Sequence, residues 1–104
     1  MRIPRFYARI RWASVREAEA GTRMIHPVWF PEDGRTADGW SLVLTLSEPV
    51  VRGDTESLAV VHLMVPEAPH HHLRPGQSLE FRAGRILIAN VLLGEPAGFL
   101  EMDA

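Results

Sequence analysis

Polar and apolar side chains alternate with a period of two along much of this chain. In "RFYARIRWA" (5–13), Phe6, Ala8, Ile10 and Trp12 fall on one face and Arg5, Tyr7, Arg9 and Arg11 on the other. That period is the pattern of a half-buried strand. "RMIHPVWF" (23–30) is apolar but contains Pro27, which lacks the N–H that a central ladder needs, so it predicts an edge or bulged strand. "WSLVLTLSEP" (40–49) sets Trp40, Leu42, Leu44 and Leu46 against Ser41, Val43 and Thr45, and "QSLEFRA" (77–83) sets Leu79 and Phe81 against Glu80 and Arg82. "SLAVVHLMVP" (57–66) and "RILIANVLLG" (85–94) are apolar on both faces, which predicts strands covered on both sides.

The intervening stretches carry turn chemistry. Residues 14–22 read as a connecting loop ending in Gly21, 31–40 as a long turn rich in Gly, Asp and Pro, and Pro49 with 52–55 as a further break. The Arg52-Gly53-Asp54 triplet is a chance match within that break. Turn signals recur at roughly the spacing of a barrel or sandwich. The expected fold is all-β, a small closed six-stranded antiparallel-type barrel over residues 1–94, followed by an acidic C-terminal tail, 95–104. At 104 residues the chain is one domain, with the ordinary globular balance of 46% apolar and 23% charged residues.

Missing residue types narrow the chemistry. There is no cysteine, so disulfides, thiolate nucleophiles and cysteine–zinc sites are excluded. All eleven cationic side chains are Arg, which excludes a lysine-bearing P-loop and Schiff-base chemistry, so no nucleotide site of that kind is expected. No apolar run is long enough for a membrane helix, and the N-terminal region carries arginines where a signal peptide needs an apolar block. The expected location is the cytoplasm, with no membrane association. The formal charge of −2 is uneven: residues 1–31 hold six Arg against Glu17 and Glu19, while 32–104 hold five Arg against eleven acids. Mixing of the two signs in the folded chain is the preferred reading, with an anion-facing patch as the alternative.

"APHHHLRPGQ" (68–77) is the most conspicuous stretch. His70 and His72 form an H-x-H pair, which on a strand would point both rings to one metal, as in the small cupin barrels. The glutamate and the preceding glycine that cupins require are absent, and so is their second motif; His26 and His62 are the only other histidines besides His71. The preferred reading is a loop: Pro69 opens it, Leu73 enters the core, and Pro75-Gly76 make a type II turn with Gly at positive φ. No cofactor or metal is expected. His62 reads as a buried or interface histidine, the three Trp as barrel core, and no Ser-His-Asp arrangement or glycine elbow is present.

Taken in order, these segments resemble the C-terminal β-barrel, the third domain, of elongation factor Tu-like translation factors. "RFYARIRWAS" leading into "REAEAGTR" resembles the family's first strand and acidic loop, "HHHLRPGQSLEFR" its Pro-Gly turn and following strand, and "FRAGRILIANVLLGE" its closing hairpin. The resemblance spans about residues 5–94 and implies a stand-alone bacterial, translation-related barrel. It lacks the GTPase domain, so no GTPase activity is implied, and the chain is expected not to be an enzyme. In the family this barrel contacts protein partners and the T-stem of tRNA. Gly21 and Arg23 match the Gly and Arg of the T-stem-contacting loop, while Thr22 departs where a second Gly belongs. The implied partner is another protein or a second copy of the chain, with tRNA or rRNA next, gripped through Arg5, Arg9, Arg11, Gly21 and Arg23. The outward sides of 57–66 and 85–94 are the expected protein-contacting surface.

Overall fold

The computed structural model describes residues 2–14, 17–30 and 39–101. It is all-β: β1 (Arg2–Trp12), β2 (Arg23–Val28), β3 (Trp40–Leu46), β4 (Glu56–Leu63), β5 (Ser78–Ala83) and β6 (Ile86–Glu101). Every pair is antiparallel, in the order β2-β3-β4-β1-β6-β5. The sheet curls until its two end strands face each other, so the barrel is nearly closed. At that seam the ring of His26 on β2 meets the ring of Phe81 on β5 edge-on, with centroids 4.9 Å apart. Pro27 thus lies on an end strand, where the missing N–H interrupts no second ladder. Most of the long turn expected at 31–40 lies outside the described residues.

The alternation fills the barrel as the pattern requires. Phe6, Ala8, Ile10 and Trp12 from β1 meet Leu42, Leu44 and Leu46 from β3, Val61 and Leu63 from β4, and Leu79 and Phe81 from β5. Trp12 Nε1 donates to Ser57 Oγ at 2.8 Å, so the buried indole N–H is satisfied inside this core. Of the three tryptophans, Trp12 is buried and Trp40 packs against the core, but Trp29 is 44% exposed; reading all three as core holds for two. On β4, Val61 and Leu63 point inward and Val60 and His62 outward, and Met64 is exposed just beyond the strand.

The last strand is longer than its pattern: 85–94 is predicted, and Ile86–Glu101 is observed. Residues 99–101, expected in the tail, pair with Pro4, Ile3 and Arg2 of β1. The register shifts twice along this pair, because three residues of β6 span two of β1 between Phe99 and Pro96 and again between Pro96 and Leu93. A third shift makes Ile88 an extra residue opposite β5 and turns it into the core. Such bulges bend and twist a strand, which is what a sheet needs to wrap into a barrel. Gly98 serves one of them with a φ of 86°, a conformation that costs a side-chain-bearing residue about 1 kcal/mol or more.

Candidate functional site

Arg5, Arg9 and Arg11 project from one side of β1, as the alternation requires, but the fold gives them different surroundings. β4 brings Glu56 beside β1, and this one carboxylate lies 3.6 Å from Arg9 and 3.3 Å from Arg11. Both arginines are therefore partly neutralised before any ligand arrives. Arg9 stands directly between Leu58 of β4 and Leu92 of β6, its two cross-strand neighbours. Leu58 is 49% exposed, Leu92 46% and Tyr7, two residues along β1, 56%. The outer face of β4-β1-β6 is thus a Tyr-Arg-Leu surface, with shallow clefts on either side of the Arg9–Glu56 pair that also reach Asn90 and Glu48.

Arg5 and Arg23 have no carboxylate partner among the described residues. Gly21, the other residue of the suggested RNA-contacting loop, sits at φ 84° in the turn that leads into β2, and its N–H donates to the Leu46 carbonyl at 2.8 Å. That turn is closed by Thr22 N–H donating to the Glu19 carbonyl and is tied further back by an Ala18–Val50 bridge. Gly21 is therefore held against the end of β3, and its N–H is already used.

The histidine run forms a single 3-10 turn, His70–His72, not a strand. Consecutive residues of such a turn are rotated by about 120°, so His70 and His72 diverge where a strand would align them. His70 Nε2 donates to the Pro66 carbonyl at 3.1 Å, whereas the His72 ring lies edge-on to Phe30 with centroids 5.3 Å apart. No group of three or more His, Asp or Glu side chains converges among the described residues. The loop otherwise follows its turn chemistry: Leu73 is buried, Gln77 N–H donates to the Arg74 carbonyl, and Gly76 takes a φ of 85°.

A further cluster lies around His62. Although His62 points outward from β4, it is only 9% exposed, and its β3 partner Val43 is fully buried. Burial holds the His62 imidazole below its ordinary value of 6.5, and the charges of Arg23, Arg5 and His70 lower it further. Arg5 Nε and His70 Nδ1 are both buried without a hydrogen-bond partner. Basic side chains from β1, β2 and the 64–73 loop thus act on His62 across this part of the outer surface. The only sequence signal for this group is the odd position of His62 within an apolar strand.

No helix among the described residues is long and apolar enough to cross a membrane. No family model matches the chain, and no curated protein or solved structure matches it.

Proposed function

We propose that the chain is a non-enzymatic binding module, similar in role to the third domain of elongation factor Tu-like translation factors, that docks a protein partner or a second copy of itself on the outer face of β4-β1-β6. It has no GTPase activity of its own and works in the bacterial cytoplasm. The observation that carries this reading is the exposure of Tyr7, Leu58 and Leu92 around Arg9 on three adjacent strands. Exposed apolar side chains gathered in one place mark interaction sites, and Tyr and Arg are the side chains that most often anchor them.

The test is a Leu58→Glu, Leu92→Glu double variant. Both side chains are exposed, so the variant should fold with the wild-type circular dichroism spectrum. Sedimentation and affinity capture from the native host, with protein and RNA both identified, should then show loss of the dimer or of the captured protein. Wild-type chain that is monomeric and captures the same protein as the double variant would end this reading.

Binding of tRNA or rRNA is a second reading, favoured by the absence of a carboxylate beside Arg5 and Arg23 among the described residues. It predicts affinity that falls steeply with salt, with a log-log slope of about −0.9 for each duplex phosphate neutralised.

A further inference from the structure

We infer that Arg5, Arg23, His62 and His70 form a binding site for a tetrahedral oxyanion of the phosphoryl class on the outer face of the barrel. This site borders the Tyr7-Leu58-Leu92 surface at Tyr7, but none of its four residues belongs to that surface.

Three observations carry the inference. First, the sheet register sets Arg5, His62 and Arg23 on one face, in adjoining rows, and the charge of His70 acts on His62. Arg5 stands one residue from Phe6, which pairs with Val61, so Arg5 lies alongside His62 on the same outward face. Arg23 pairs with Thr45, and Thr45 with Val60, which brings Arg23 to the neighbouring row of that face. Second, the group has no internal counter-charge among the described residues. Glu67, in the loop that carries His70, and Glu95 of β6 are exposed and pair with neither arginine. β3 contributes only Val43 and Thr45 to this side. Third, two buried nitrogens in the cluster, Arg5 Nε and His70 Nδ1, have no partner. Buried polar atoms without a partner are rare, because each loses its hydration without recompense.

An oxyanion answers all three features. Guanidinium groups present several N–H donors in a fixed fork suited to phosphate oxygens. His70 already donates through Nε2 to the Pro66 carbonyl, so its protonated form offers Nδ1–H to the anion. The donors come from three strands and a loop, and a tetrahedral anion has more oxygens to share among them than a flat carboxylate. Arg5 Nη2 lies over Gly98 of β6, where a Cβ would meet it at 3.6 Å, an ordinary contact.

The experiment follows the His62 imidazole by NMR, with its signal assigned from a His62→Asn variant, while inorganic phosphate or sulfate is titrated at constant ionic strength. The expected result is a saturable shift of the His62 signal and an upward move of its pKa, because a nearby anion favours the charged imidazole. Arg5→Gln and Arg23→Gln should each weaken the apparent affinity about tenfold or more, as expected for loss of a charge-assisted hydrogen bond. Arg85→Gln, in the β5–β6 turn, should leave it unchanged. Arg23 is exposed, so its variant stays informative even where Arg5→Gln unfolds the chain. Absence of a phosphate response, an equal response to acetate, or an undiminished affinity in Arg23→Gln would overturn the inference. So would a response to a short RNA duplex alone, which would assign these arginines to phosphodiester contacts.

Discussion

Replacing Ser57 by Ala tests how β1 is held to β4, the two strands that carry Arg9 and Leu58. The Ser57 hydroxyl accepts the Trp12 indole N–H at 2.8 Å, and both residues are buried. Removing the oxygen takes away little volume but leaves a buried donor with no acceptor. The cost of such an orphaned group is about 1–3 kcal/mol, against a total stability of roughly 5–15 kcal/mol for a domain of this kind. Each kcal/mol lowers the unfolding temperature by about 4–8 °C at this size. Urea denaturation of the single variants and of Trp12→Phe, Ser57→Ala separates the hydrogen bond from the packing. In the Trp12→Phe background the donor is gone, so Ser57→Ala should cost less than about 0.5 kcal/mol. The difference between backgrounds is the coupling energy and should exceed about 1 kcal/mol. An equal cost of Ser57→Ala in both backgrounds would refute the reasoning, because the hydroxyl would then matter only through its volume.

Stability should also depend on pH through His62: the unfolded imidazole takes up a proton near the ordinary value of 6.5, while the folded one, lowered by burial and by Arg23, Arg5 and His70, resists it. Stability is therefore greatest above that value and falls as the pH drops from it towards the folded pKa, and His62→Gln should flatten this part of the profile in urea melts at pH 7.5 and 5.5. Gly39→Ala should destabilise by about 1–3 kcal/mol in thermal melts, since its Cβ would stand 2.8 Å from Pro27 Cβ and 2.9 Å from Trp29 Cε2. Truncation after Glu95 removes the partners of Arg2, Ile3 and Pro4, so it should lower the unfolding temperature and raise hydrophobic-dye binding; unchanged values for both would show that this ladder contributes nothing. Unfolding should occur at the same temperature with and without chelator, because the diverging His70 and His72 give a metal no complete ligand set; a large loss of stability in chelator would contradict that.

The barrel was legible wherever one face of a strand is buried. Alternation marks β1, β3 and β5 because each side chain there meets either core or solvent. The end of β6 defeated the same reading for a physical reason. Its two bulges against β1 break the period of two across Gly94–Gly98, so a paired strand looks like an irregular acidic tail. The arginines of β1 were legible as a row but not in their electrostatic state. Glu56 partly neutralises Arg9 and Arg11 from a distant part of the chain, 45 residues beyond Arg11, and only the β1–β4 register brings it there. His62 was conspicuous in its strand, yet its neighbours come from three other segments that no local pattern connects. Trp29 follows Val28 in an apolar run, and nothing in that run signals that the strand ends before it and leaves the ring exposed.

The central place of β1 in the sheet governs the order in which the barrel can be assembled. β1 is made first, but its two neighbours are β4, which begins at Glu56, and β6, which ends at Glu101. During synthesis β2 and β3 can pair as a hairpin while β1 still has both edges open. Its apolar face, Phe6, Ala8, Ile10 and Trp12, then waits until β4 and β6 have been made. Such distant pairing makes folding slow, because the entropy of closing a long loop is lost before the contacts form. The row of arginines on the other face of β1 keeps this waiting strand charged. Charge on an open edge is a recognised protection against pairing with the wrong chain.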